Sequence, residues 1–124
     1  MTDARAERIA PGDRLRTSQD YATVKRDGRA LKGRHCMLLA AAADGPTRVG
    51  FIASRKGVGG AVQRNRARRR LREIVRRRWP RIAGHGHLLA FIAYRTSVTA
   101  PHPELAADVE RLLASAGALP GPAA

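Results

Sequence analysis

The residues best equipped for chemistry in this sequence are arginines, and they are concentrated. The stretch 55–81 holds 12 of the chain's 24 basic residues and a single acid, Glu73. A guanidinium is a planar, permanently charged fork that matches two phosphate oxygens at once, so a crowd of them is equipment for holding a phosphodiester backbone. On a helical wheel, Ala67, Leu71, Ile74 and Val75 fall on one face. Asn65, Arg69, Arg72 and Arg76 fall on the opposite side, flanked by Arg66, Arg70 and Arg77. Arg64 falls near the apolar stripe at the helix start, aimed at a cleft beside the sheet and not at the outer ridge. Such a helix is roughly 28 Å long and spans several phosphates of a folded RNA. Like charges one turn apart oppose helix formation by a few tenths of a kcal/mol per pair. Glu73 can pair with Arg69, Arg70, Arg76 or Arg77, but not with all of them. A merely solvated face mixes both signs, and a membrane-surface helix carries a larger, more aromatic apolar face. A polyanion-binding ridge backed by a core stripe is the reading that remains.

Other chemistries lack their residues. The ten acids are scattered, with no pair at a spacing suited to general acid–base work. His85 and His87 share a strand face at most and lack a third ligand nearby. His35 and His102 read as surface or RNA-facing residues. Cys36 sits in an apolar run and reads as core, not as a nucleophile. The glycines at 57, 59 and 60 form a turn into the basic helix without the Lys and Ser/Thr of a phosphate-cradling loop. No catalytic residue, no protein-held metal and no tightly bound cofactor are expected.

The elements that must position these residues fit one domain. The chain has 124 residues, a net charge of +14 and a sequence pI near 11.7. That imbalance costs stability by self-repulsion and points first to nucleic acid as partner. Of the 24 basic residues, 21 are Arg, a ratio that codon bias also produces. One cysteine excludes an intramolecular disulfide and suits a reducing, cytoplasmic setting. The first ten residues carry charge without an apolar stretch, so no signal peptide is expected, and no apolar run reaches the roughly 20 residues that span a bilayer. Residues 1–13 and 117–124 read as flexible tails around a domain at 14–116. Thr17, Ser18, Gln19 and Asp20 offer an N-cap and an acidic first turn for a short helix that runs to about Arg26 and is stopped by Asp27 and Gly28. Residues 34–43 and 48–54 read as strands of a hairpin closed by the turn at Asp44, Gly45 and Pro46. The basic helix runs from about Ala61 to Trp79, stopped by Pro80. Residues 87–94 are the clearest buried strand. Leu105, Val109, Leu112 and Leu113 form the stripe of a last helix, with Thr99 or His102 as caps. The order αββαβα is an α+β sandwich of helices on a small sheet.

Ser54, Arg55, Lys56, Val58, Gly59, Ala61, Val62, Arg64, Asn65, Arg66, Arg68, Arg69, Arg72 and Glu73, in this register, resemble the signature of the bacterial ribonuclease P protein family. That family centres on Arg-Asn-Arg, two further basic positions, then Arg-Glu. Arg14 with Leu15, and Arg48 with Val49 and Gly50, extend the similarity over roughly residues 14–114. The resemblance implies an αββαβα sandwich of the ribosomal protein S5 domain 2-like type with a left-handed crossover around the basic helix. It implies contact with a catalytic RNA through Arg64, Asn65 and Arg66, supported by Arg68, Arg69 and Arg72. It further implies a cleft between the sheet face and the basic helix for the single-stranded 5′ leader of precursor tRNA, with Tyr21 stacking and Arg34, Ser54, Arg55 and Lys56 beside it. The metal, Mg²⁺, and the hydrolytic step are then the RNA's, with no obligate protein partner. The chain departs from the pattern at Lys25 and Leu39, where relatives carry aromatics, and at Gly60, where Asn is common.

Rival classes explain less. A structural, ribosomal-type RNA-binding protein accounts for size and charge but not for the extended signature. A helix-turn-helix DNA binder places a helix, not a strand, just before its recognition helix. A free nuclease lacks catalytic residues.

Overall fold

Cap chemistry at Thr17 sets the first element. Its hydroxyl accepts the N–H of Asp20 at 3.0 Å, and the Asp20 carboxylate accepts the N–H of Thr17 at 3.3 Å, a reciprocal cap that satisfies two donors the helix leaves unpaired. In the computed structural model, which describes residues 6–119, this helix, α1, spans Ser18–Asp27. It is followed by β1 (Arg29–Lys32), β2 (Cys36–Pro46), β3 (Arg48–Ile52), α2 (Ala61–Arg78), β4 (His85–Ala93) and α3 (His102–Ser115). Short 3-10 turns lie at Pro11–Asp13, Trp79–Arg81 and Arg95–Val98. The α+β class and the helix order stand as the sequence implies.

The sheet order is β1-β2-β4-β3, and it corrects the expected hairpin. β2 and β3 do not pair. β4 lies between them, antiparallel to β2 and parallel to β3. The reason is burial: Leu88, Leu89, Ala90 and Phe91 are buried in succession, on both faces of β4, so β4 must be central. The hairpin that does form is β1 with β2. β1 was not expected, because its four residues are mostly exposed and only strand pairing orders them.

Helices cover the two sheet faces unequally. Leu38, Val49, Leu89 and Phe91 face α2 and α3, where Ala67, Leu71, Ile74 and Val75 meet Leu105, Val109, Leu112 and Leu113 in the main core. The stripe read on the wheel is the buried face of α2. Trp79 is fully buried at its end, and Pro80 lies in the 3-10 turn that closes it. The other sheet face carries a smaller cluster under α1, built on Leu15, Val24, Ala41, Leu88 and Ala90.

The packed unit reaches beyond residues 14–116. Ile9 is buried ahead of it, and Ala118 and Leu119 after it. The remaining expected tail residues, 1–5 and 120–124, lie outside the described residues. No helix among the described residues is long and apolar enough to cross a membrane.

Candidate nucleic-acid interface

α2 carries one surface. Gly60 occupies its N-cap without a side-chain bond, as the loss of Asn there implies. Arg69 is exposed and makes no hydrogen bond or ion pair among the described residues. Arg64 does not join the outer ridge: it is half-buried, and its Nε is buried without a hydrogen-bond partner. Arg66 is exposed, with Nε donating to the Val98 carbonyl at 3.0 Å. Arg68 donates to Asn65 Oδ1 at 2.6 Å and more weakly to the Ala53 carbonyl at 3.4 Å.

Two expected ridge members differ. Arg72 is exposed, with its guanidinium 5.7 Å above the Phe51 ring centroid, a cation–π contact. Phe51 in turn stacks on Phe91 at 5.9 Å. Burial, then the neighbouring Arg14 and Arg68 cations, pull the pKa of Arg72 down. Arg76 is neutralised by Glu73, which accepts from its Nε at 2.9 Å, and it lies 3.9 Å from Glu7. The Arg76 hydrogen bond, outweighing partial desolvation and helped by Arg77, holds the Glu73 carboxyl down at about 2. The single acid of α2 is thus paired with Arg76 and Arg77, and among the described residues Arg69 and the helix start have no ion pair.

A second surface lies on the face that α1 covers. Tyr21 packs against Gly50 of β3 and the smaller cluster. A Cβ on Gly50 would lie 2.4 Å from the Tyr21 Oη, so only glycine leaves the ring its place. Oη donates a long 3.5 Å bond to the Leu15 carbonyl. At the edge of β3, Arg14, Leu15, Tyr21, Val49, Gly50, Phe51 and Arg72 line a recess of about 90 Å³ with no acid in its wall. Arg48 crosslinks this face to α1 through a two-pronged ion pair with Asp20 at 2.9 and 3.0 Å.

Strand register extends the surface. Ile52, Ile92 and Met37 are direct partners across β3, β4 and β2, and Lys32 continues the row onto β1. They lie two residues from Gly50, Ala90, Leu39 and Ala30, hence on the Tyr21 face. Met37 and Ile92 are half-buried yet belong to neither packed cluster. Ser54, Arg55 and Lys56 are exposed and follow β3 at this end of the sheet, with Arg95 exposed just beyond β4. The face that Tyr21, Met37, Ile52 and Ile92 share lies opposite α2, and between the sheet and α2 the core fills the space.

Arg34 is not brought to Tyr21. Its backbone N–H, at 3.0 Å, and that of His35, at 2.9 Å, donate to the buried Asp108 carboxylate, and its side chain lines a recess against Glu104, Asp108 and Arg111 of α3. Burial pushes the Asp108 pKa up, but the two backbone donors and Arg111 outweigh it and hold it below the ordinary value. Cys36 lies against the same carboxylate. Burial, then the Asp108 charge, pushes its thiol up to about 12, which keeps it protonated. No group of three or more metal-ligating side chains stands together among the described residues.

Sequence reasoning missed Met37, Ile52, Ile92 and Arg95. The run 36–43 is apolar at successive positions, so no alternation marks which side chains reach the open face. Partner strands, invisible in sequence, supply the row.

Comparisons with known proteins bear on the family and the fold. The family model described as Ribonuclease P matches residues 9–117. A ribonuclease P protein component of Symbiobacterium thermophilum is 44% identical over 108 residues, 86% of this chain and 92% of the relative. One from Chloroflexus aurantiacus is 41% identical over 110 residues, 88% of this chain and 81% of the relative. In fold, the chain is similar to the RNase P protein of Staphylococcus aureus (TM-score 0.73, 21% identity, 86% of this chain and 97% of that one). It is also similar to that of Thermotoga maritima (TM-score 0.69, 26% identity, 81% and 94%).

Proposed function

The chain belongs to the ribonuclease P protein family, and from that premise we propose that its two surfaces hold two different RNAs. The α2 surface binds the catalytic RNA subunit through Arg64, Asn65, Arg66, Arg68, Arg69 and Arg72. The groove under α1 takes the 5′ leader of precursor tRNA, with Tyr21 as the stacking group, Ile52, Ile92 and Met37 as an apolar floor, and Ser54, Arg55 and Lys56 at its end. Arg34, drawn toward α3, serves as an outlying cation. The observation that carries the reading is that Arg72 of α2, seated over the Phe51 ring, lines the acid-free recess beside Tyr21.

The reaction is hydrolysis of one phosphodiester bond, and its metal, Mg²⁺, and chemistry lie in the RNA. The protein lowers the repulsion between two polyanions and favours substrate over product, because mature tRNA has no leader to fill the groove. Aliphatic side chains stand where a groove for single strands commonly offers aromatics, so Tyr21 carries most of the stacking.

The test is processing of a precursor tRNA at low Mg²⁺ by a bacterial ribonuclease P RNA, with and without this protein. Stimulated cleavage at the mature 5′ end is expected. Tight RNA binding without stimulation would return the chain to the class of structural RNA-binding proteins.

A further inference from the structure

Arg70 stands among the arginines of α2 but differs in what it touches. Its Nη1 donates to the Ser97 carbonyl at 2.8 Å and its Nη2 to the Ala100 carbonyl at 2.6 Å. Both acceptor residues are buried, and both bonds are of the strong, charge-assisted kind. Desolvation, then the charge of Arg66, pulls the Arg70 pKa down, as befits a cation turned into protein. Arg66, by contrast, gives only Nε to this segment and keeps its terminal nitrogens without partners among the described residues.

The segment held by Arg70 joins β4 to α3. Ser97 grips the end of β4 twice: its N–H donates to the Tyr94 carbonyl at 3.0 Å and its hydroxyl to the same oxygen at 2.7 Å. The Tyr94 N–H donates to the His35 carbonyl at 3.0 Å. A continuous run of hydrogen bonds thus leads from α2 to the end of the sheet where Ile92 and Met37 lie open. The exposed Arg95 begins the same segment.

We propose that Arg70 is a positioning residue: it holds the 95–100 segment, and with it Arg95 and the last residues of β4, at the end of the groove, and it makes no contact with the RNA subunit. The inference rests on the reading of the groove as the leader site. A guanidinium is required, because one side chain must reach two carbonyls with two parallel N–H groups. An ammonium offers a single point and serves one of them.

The experiment uses the protein reconstituted with a bacterial ribonuclease P RNA. Two quantities are measured for wild type, Arg70→Met, Arg70→Lys and Arg69→Met: the salt dependence of affinity for the RNA subunit, and the ratio of affinities for precursor and mature tRNA. Arg70→Met is expected to keep the wild-type salt slope while the precursor-to-mature ratio falls by about fivefold, the worth of one phosphate contact near 0.15 M salt. Arg69→Met shows the opposite pattern, a shallower slope and an unchanged ratio. Arg70→Lys keeps the slope and loses part of the ratio, and it carries the test should Arg70→Met fail to fold by circular dichroism. A slope that drops on Arg70→Met as it does on Arg69→Met makes Arg70 an RNA contact and overturns the proposal. An unchanged ratio in both Arg70 variants, with wild type discriminating, overturns it as well. A wild-type ratio near one removes the leader reading itself, and the inference with it.

Discussion

Arg69 and Arg76 are seven residues apart on one helix, and the wheel reads them as equivalent. The structure separates them. Arg69 is exposed without a counter-ion among the described residues, whereas Arg76 is held by Glu73 and lies near Glu7. Each phosphate contact releases counter-ions worth about 0.9 in the slope of log affinity against log salt on duplex, and about 0.7 on single strands. Arg69→Ala is therefore expected to flatten the slope for the ribonuclease P RNA subunit by about 0.7–0.9. Extrapolated from 1 M salt, one such contact is worth about fivefold in affinity at 0.15 M. Arg76→Ala removes a charge already neutralised, and the slope should change far less. Filter binding of labelled RNA subunit at four or five salt concentrations reads both slopes. Equal slope changes for the two variants would refute the claim that local ion pairing decides which arginines meet phosphate.

Gly50→Ala places a methyl group too close to the Tyr21 hydroxyl end, so the ring must shift from its seat on the sheet. Precursor affinity should fall about as far as in Tyr21→Ala, by roughly 1–2 kcal/mol, with RNA-subunit affinity unchanged; fluorescence anisotropy of a labelled leader checks it. Asp108→Ala strips the acceptor from two backbone N–H groups at the β1–β2 turn and should cost about 2–4 kcal/mol in urea unfolding. Because the folded pKa of Asp108 lies below its ordinary 3.8, its stabilisation is present above about pH 4 and fades as pH falls further. Wild type should thus lose stability below pH 4 more steeply than Asp108→Asn, as followed by thermal melts.

Part of this molecule is legible without coordinates. The amphipathic periodicity of the basic helix, the capping stretch 17–20 and the stripe of Leu105, Val109, Leu112 and Leu113 are local properties, set by side-chain spacing within one element, and the structure keeps all three. The fixed register from Ser54 to Glu73 is equally local, and it carries most of the family resemblance. Tertiary structure decided what spacing cannot encode. Adjacent strands in the chain were expected to pair, but burial of both faces of β4 placed it between β2 and β3. An apolar run without alternation hides which of Met37, Leu38 and Leu39 faces the open groove until partner strands fix the register. Arginines identical in sequence became different objects. Arg69 points to solvent, Arg72 lies on a ring, Arg76 is neutralised and Arg70 is locked to two carbonyls, because a charge's role is set by the groups that fold within reach of it.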